Sequence, residues 1–128
     1  MDGNEGELFE QEGYDLMTAA FEVYNQLDSG FLEEVYQEAL ELELKSRDIP
    51  YLSKPRLPVT YKEQLLKKYY EADFLVQVEV IVELKAVRSI APEHEVQLLN
   101  ELKATHKRVG YLINFGAFPR LQWSRRVL

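Results

Sequence analysis

An α/β fold, a mixed β-sheet flanked by α-helices, is what the sequence predicts, and three observations carry that reading. Up to about Arg47 the apolar residues recur every three or four positions, the period of amphipathic helices. Beyond Pro50 they alternate, the period of strands. From Pro92 the helical period returns, and a last apolar run, Val109 to Phe115, follows it.

The first helix runs from about Leu8, with Leu16, Ala19, Ala20, Val23 and Leu27 on its stripe. Asp28-Ser29-Gly30 interrupts it, and Gly30 lets the chain turn where a side chain would clash. A second helix spans about Phe31 to Arg47, with Leu32, Val35, Tyr36, Ala39, Leu40 and Leu44 facing inward. It stops near Ile49-Pro50, because the residue before proline avoids helical angles. Leu57, Val59 and Tyr61 alternate with polar partners, and Pro55 and Pro58 make this an edge strand. Residues 66–76 and 79–87 read as paired strands joined near Gln77-Val78, a turn without glycine, asparagine or proline. A helix from Pro92 to His106 follows, with proline at its first position and Val96, Leu99 and Leu102 facing in. After the buried strand, Gly116 to Pro119 form a loop and Arg125 to Leu128 a short last segment. The order is helix, helix, three strands, helix, strand: a single domain over residues 1–128 with a frayed tail at 1–7 (MDGNEGE).

The chain has 128 residues, and its apolar content of 46% suits one ordinary core. No apolar run approaches the roughly 20 residues of a membrane span, and the acidic N-terminus is unlike a signal peptide, so a soluble, cytoplasmic protein is expected. The absence of cysteine excludes disulfides, thiolate zinc sites and cysteine nucleophiles. A net charge of −7 argues against a polyanionic partner, but the charge is unevenly spread. Residues 1–50 hold 14 acids against Lys45 and Arg47, whereas residues 51–128 hold 13 bases against 8 acids. The back half could therefore face a polyanion while the front half faces water or another subunit.

The stretch from Glu71 to Val87 places Asp73, Glu83 and Lys85 among valines, leucines and isoleucine. Side chains alternate across a strand, so Ile81, Glu83 and Lys85 share one face while Val80, Val82 and Leu84 share the other. A strand apolar on both faces is central, and partly buried charges there cost several kcal/mol unless paired or bound to an ion. Asp73 on the neighbouring strand can bring a second carboxylate to Glu83. Two carboxylates at the end of a sheet suit Mg2+ or Mn2+, and a lysine beside such an ion can position water and offset phosphate charge. The same spacing equally suits a structural Lys-Glu pair with a solvated aspartate.

The layout of Asp73 followed by Glu83-Leu84-Lys85 resembles the PD-(D/E)XK nuclease superfamily, whose fold is restriction-endonuclease-like. Gly30-Phe31-Leu32-Glu33-Glu34-Val35-Tyr36 is similar to the G-x-x-E-x-x-Y signature of a small bacterial and archaeal family within it. "GFLEEVYQEAL", "YEADFLV", "VIVELKAV", "HEVQLLNELKAT" and "GYLINFG" arrive in that family's order. The resemblance implies an αβββαβ core with an extra N-terminal helix. It also implies metal ligation by Asp73 and Glu83, with the Leu84 carbonyl and Glu33 assisting, and Lys85 as catalytic lysine. Gln97 falls where a helix glutamine supports the site, and His94, three residues earlier on the same helical face, would look into one substrate cleft with it. Glu71 and Gln77-Val78-Glu79 depart from the family's usual residues.

Outside that constellation, Lys103 and Lys107 cluster with Arg108 at the end of the third helix as candidate substrate contacts, although basic groups there also stabilise a helix C-terminus. Glu33 in a first turn also favours the helix dipole. Tyr36, on the apolar stripe, reads as core, and Trp123 as packing beneath the sheet. His94-Glu95 is not followed by a second histidine at Leu98, so the zinc-protease pattern is absent. The leading expectation is a Mg2+- or Mn2+-dependent nuclease acting on DNA. The competing one, from another class, is a catalytically silent assembly module working through protein contacts, as a homo-oligomer using the acidic first helix.

Overall fold

The computed structural model describes residues 8–128, so the tail expected over residues 1–7 lies outside the described residues. The elements in chain order are α1 (Glu10–Leu27), α2 (Glu33–Ser46), β1 (Tyr51–Ser53), β2 (Arg56–Tyr61), β3 (Gln64–Glu71), β4 (Phe74–Val76), β5 (Val80–Lys85), α3 (Pro92–Thr105), β6 (Val109–Asn114) and β7 (Gln122–Val127). α1 buries Leu16, Ala19, Ala20 and Val23. α2 buries Tyr36, Gln37, Leu40 and Leu44. Leu32 and Val35, expected on the same stripe, are exposed: Leu32 precedes the helix, and Val35 lies off the line of Tyr36, Leu40 and Leu44. Between the helices Gly30 has φ +112°, with open space where a Cβ would stand. The turn therefore needs glycine's backbone freedom, and no clash is being avoided.

The main sheet has five strands in the order β1-β4-β5-β6-β7. β5 and β6 are parallel and joined through α3, while the other neighbours are antiparallel, which makes the sheet mixed. Alternation divides the core between its two faces. Val80, Val82 and Leu84 pack with α1 and α2, and Ile81 lies opposite with Leu98, Leu102 and Leu112. Val96, expected to face in, is exposed; α3 instead buries Leu98, Glu101 and Leu102. The last segment, expected only from Arg125, is the strand β7 paired along the whole of β6, with Trp123 stacked on Tyr111 at 6.0 Å.

The strand expected over residues 66–76 is two strands in different sheets. β3 pairs only with β2, and the chain re-enters the main sheet at Phe74. The break lies at Ala72 and Asp73, both buried. Its cause is an excursion: the chain leaves the sheet after Ser53, forms the β2–β3 ribbon, and returns beside its point of departure. The Lys54 N–H donates to the Asp73 carbonyl (2.9 Å) and the Ala72 N–H to the Pro55 carbonyl (3.2 Å). The three sheet strands before α3 are thus β1, β4 and β5. The tip of the ribbon, Lys62-Glu63, is a two-residue turn with φ of 48° and 65°, and Gln77 and Val78 repeat the left-handed pattern at 51° and 73°. Non-glycine residues there cost on the order of 1 kcal/mol each, so both turns are set by pairing of the strands and not by local preference. Among the described residues no helix is long and apolar enough to cross a membrane.

Candidate active site

β4 and β5 pair Phe74 with Val82, so the next residues along, Asp73 and Glu83, face each other where the pairing ends. Asp73 is buried, and both carboxylate oxygens are engaged: Oδ1 by the Lys54 ammonium at 2.6 Å and Oδ2 by the Leu84 N–H at 2.7 Å. Its carbonyl accepts from the Lys54 N–H and from the Gln37 side-chain amide at 3.0 Å. The same amide donates to Ser53 Oγ at 3.0 Å, and the Ser53 hydroxyl donates to Glu41. α2, β1 and the base of the ribbon therefore fix one aspartate together.

Glu83 shares hydrogen bonds with the carboxyl groups of Glu101 and Asp73. Burial first, then the Glu101 contact, then the charge of Asp73 push its pKa up to about 11, so it keeps a proton at neutral pH. Glu101, buried on α3, is also raised, by burial against the opposing effect of its hydrogen bond with Glu83. Glu33 opens α2 and is raised by burial and then by Asp73, with Lys85 and Lys54 opposing. Lys85 is half-buried and, with Glu83, Glu101, His94, Gln97 and Tyr70, lines an open cleft of about 310 Å³. Three carboxyl groups thus crowd one point, held by a proton on Glu83 and an ammonium on Asp73.

Residues 10–126 match the profile of the PD-(D/E)XK nuclease superfamily. The chain belongs to that superfamily. The crystal structure of SSO0001 is similar in fold, with a TM-score of 0.58 at 18% identity, covering 93% of this chain. The chain spans 59% of the length of that structure. A search of curated proteins gave no match.

In this PD-(D/E)XK domain Asp73, Glu83, Lys85 and Glu33 lie in one electrostatic neighbourhood, and His94 and Gln97 line the adjoining cleft. The Ala91 N–H donates to His94 Nδ1 at 3.0 Å, so the imidazole also caps the start of α3. The Phe115 N–H bonds the Lys85 carbonyl from the β6 side (2.9 Å), so by alternation the Leu84 carbonyl points to the opposite edge, toward Asp73. Lys103 and Lys107 do not reach the cleft. Neither is among the residues that line it, and Lys107 Nζ donates to the Val78 carbonyl at 3.1 Å. A solvated aspartate beside a Lys-Glu pair is not what forms: Asp73 is buried, and the Glu83 partners are acids.

The donors gathered here are oxygens only, which suits a small hard cation that keeps several waters and takes one or two carboxylates. Among the described residues no three His, Asp or Glu side chains stand as a ready-made metal-binding group. The acids are instead turned to one another and to Lys54. An ion bound by Asp73 would have to replace the Lys54 ammonium that now pairs with it.

Three participants escaped the sequence reading. Glu101 could have been found, since His94, Gln97 and Glu101 follow one helical face. Lys54 and Gln37 reach Asp73 only through tertiary contacts and leave no local signal. A further support is Asn114, fully buried, whose Oδ1 accepts from the Val87 N–H and the Gly116 N–H, both at 3.0 Å. Its Nδ2 donates to Gln122 Oε1 (3.0 Å), which also accepts from the Ile90 N–H (2.9 Å). The segment leaving Lys85 is clamped at both ends. Gly116 permits the approach, because a Cβ there would stand 2.4 Å from the Val87 carbonyl oxygen.

Proposed function

We propose that this domain is a divalent-metal-dependent nuclease that hydrolyses phosphodiester bonds in DNA, of the G-x-x-E-x-x-Y type suggested by Gly30, Glu33 and Tyr36. The observation that carries the reading is the meeting of Asp73 and Glu83, two distant acids, beside Lys85 at the mouth of a cleft. Asp73 and Glu83 would hold Mg2+ or Mn2+, with the Leu84 carbonyl and Glu33 at its edge. When bound, such an ion supplies Lewis-acid stabilisation of phosphate charge and a more acidic water. The chain's own groups do the rest. Lys85 presents its ammonium to the attacking water and the phosphate oxygens, and Glu101 holds Glu83 in place. His94 and Gln97 border the path of the substrate. Tyr36 is reserved for the core: its hydroxyl donates to the Asp28 carbonyl at 2.5 Å and its ring stacks on Phe115 at 4.7 Å.

The test is cleavage of single-stranded, duplex and branched DNA with Mg2+ or Mn2+. Asp73→Ala and Lys85→Ala are each expected to lower the rate by about 100-fold or more, the scale of losing one essential group. Unchanged rates in both variants would leave an assembly module, working through protein contacts, as the better reading.

A further inference from the structure

The ribbon formed by β2 and β3 is not needed to close the sheet, yet it is the most exposed regular structure among the described residues. Seven of the eight residues of β3 are exposed. The ribbon carries Arg56, Lys62, Lys67 and Lys68 against Glu63 and Glu71, in a chain whose net charge is −7. Lys67 and Lys68 have no ion-pair partner among the described residues. Several bases elsewhere serve the fold: Arg126 pairs with Glu95, Arg125 donates to the Leu8 carbonyl, and Arg108, after α3, donates to the Leu128 carbonyl.

We propose that this ribbon is the surface on which double-stranded nucleic acid docks, and that it delivers the backbone of the duplex to the cleft. The inference rests on the nuclease reading for the identity of the ligand, and on four features of the ribbon for its place. Its base is the site itself, since β3 runs through Glu71 and Ala72 into Asp73, and Tyr70 and Glu71 line the cleft. It is anchored and not free to swing: Leu57 packs with Leu98 and Leu102, and Thr60 Oγ1 meets His106 Nε2 at 3.1 Å. Cations stand beside its exposed aromatic rings, Arg56 4.7 Å from the centre of the Tyr69 ring and Lys62 5.6 Å from that of Tyr61. These cations add to Lys67 and Lys68 as groups that phosphates would meet. Finally, two strands about 5 Å apart and roughly 25 Å long match a major groove about 12 Å wide. A second copy of the chain could use the same exposed edges, but paired lysines and Pro58 oppose strand-to-strand association.

Binding of a short DNA duplex by the whole chain, followed by fluorescence anisotropy in Ca2+ over a range of salt concentrations, tests this. Lys67→Ala/Lys68→Ala should weaken binding about 10-fold at 0.1 M salt and reduce the logarithmic salt slope by about 1, since the two side chains alternate across the strand and one of them faces a given duplex, while Lys67→Arg/Lys68→Arg retains both. Equal affinity and slope in the alanine variant would overturn the proposal, as would no duplex binding by the unaltered chain. Duplex binding that depends on Lys67 and Lys68 without any cleavage would keep the ribbon and remove the nuclease reading. Cleavage that ignores the double change would do the reverse. Loss of a dimer in sedimentation, with DNA binding intact, would assign the ribbon to self-association instead.

Discussion

Glu83→Gln is expected to stabilise the metal-free protein at pH 8 while reducing DNA cleavage by about 100-fold or more. The two effects have one origin. Glu83 is pushed from an ordinary 4.5 up to about 11, chiefly by burial and then by Glu101 and Asp73. Between those values the folded chain binds one proton more than the unfolded chain. The contribution of this group to stability is therefore fully present below about pH 4.5 and falls as pH rises toward 11. Glutamine carries no titrating proton, so the variant escapes that decline, and its advantage in melting temperature widens from pH 6 to pH 8. Identical pH slopes in the two proteins would contradict the raised pKa. The same substitution removes a carboxylate that the proposed mechanism assigns to the metal, so the proposal expects activity to fall as stability rises, a familiar opposition at functional sites.

Lys54→Met is expected to tighten Mn2+ binding by about tenfold or more, although it removes a favourable ion pair. The ammonium lies 2.6 Å from Asp73 Oδ1, so an ion held by that oxygen, as proposed, must displace it. With the lysine half-exposed, such a pair contributes on the order of 1 kcal/mol. Removing it leaves the Asp73 side chain with the Leu84 N–H as a partner, beside Glu83, Glu101 and Glu33, so the metal-free variant should lose about 1 kcal/mol of stability in urea unfolding. Lys54 is also held at φ 53° directly before Pro55, a position where such backbone angles are disfavoured. Calorimetric titration with Mn2+ decides the matter. An affinity equal to or weaker than that of the unaltered chain would mean that the ammonium and the ion do not compete.

The helices were legible because each repeats one apolar period for several turns, as Leu16 to Val23 and Tyr36 to Leu44 do. The pairing of β4 with β5 was legible from alternation, and with it the approach of Asp73 to Glu83. The ribbon was not. A run such as Leu66 to Val76 keeps the strand period across Ala72 and Asp73, and nothing local reveals that its two halves belong to different sheets. α3 meets the cleft through one face, His94, Gln97, Leu98 and Glu101, and Lys103 and Lys107 are not among the residues that line it. Lys54 illustrates the remaining limit. It lies 19 positions from its partner, and only the excursion of β2 and β3 between them brings the two together.

Crystals of the unaltered protein soaked in Mn2+ offer the most direct measurement. Anomalous density is expected within about 2.1 Å of oxygens from both Asp73 and Glu83, with the Lys54 ammonium drawn off Asp73 and the hydrogen bond between Glu83 and Glu101 broken or rearranged. Manganese bound away from these two residues, or absent while Lys54 keeps its place, would show that the acids meet for structure alone.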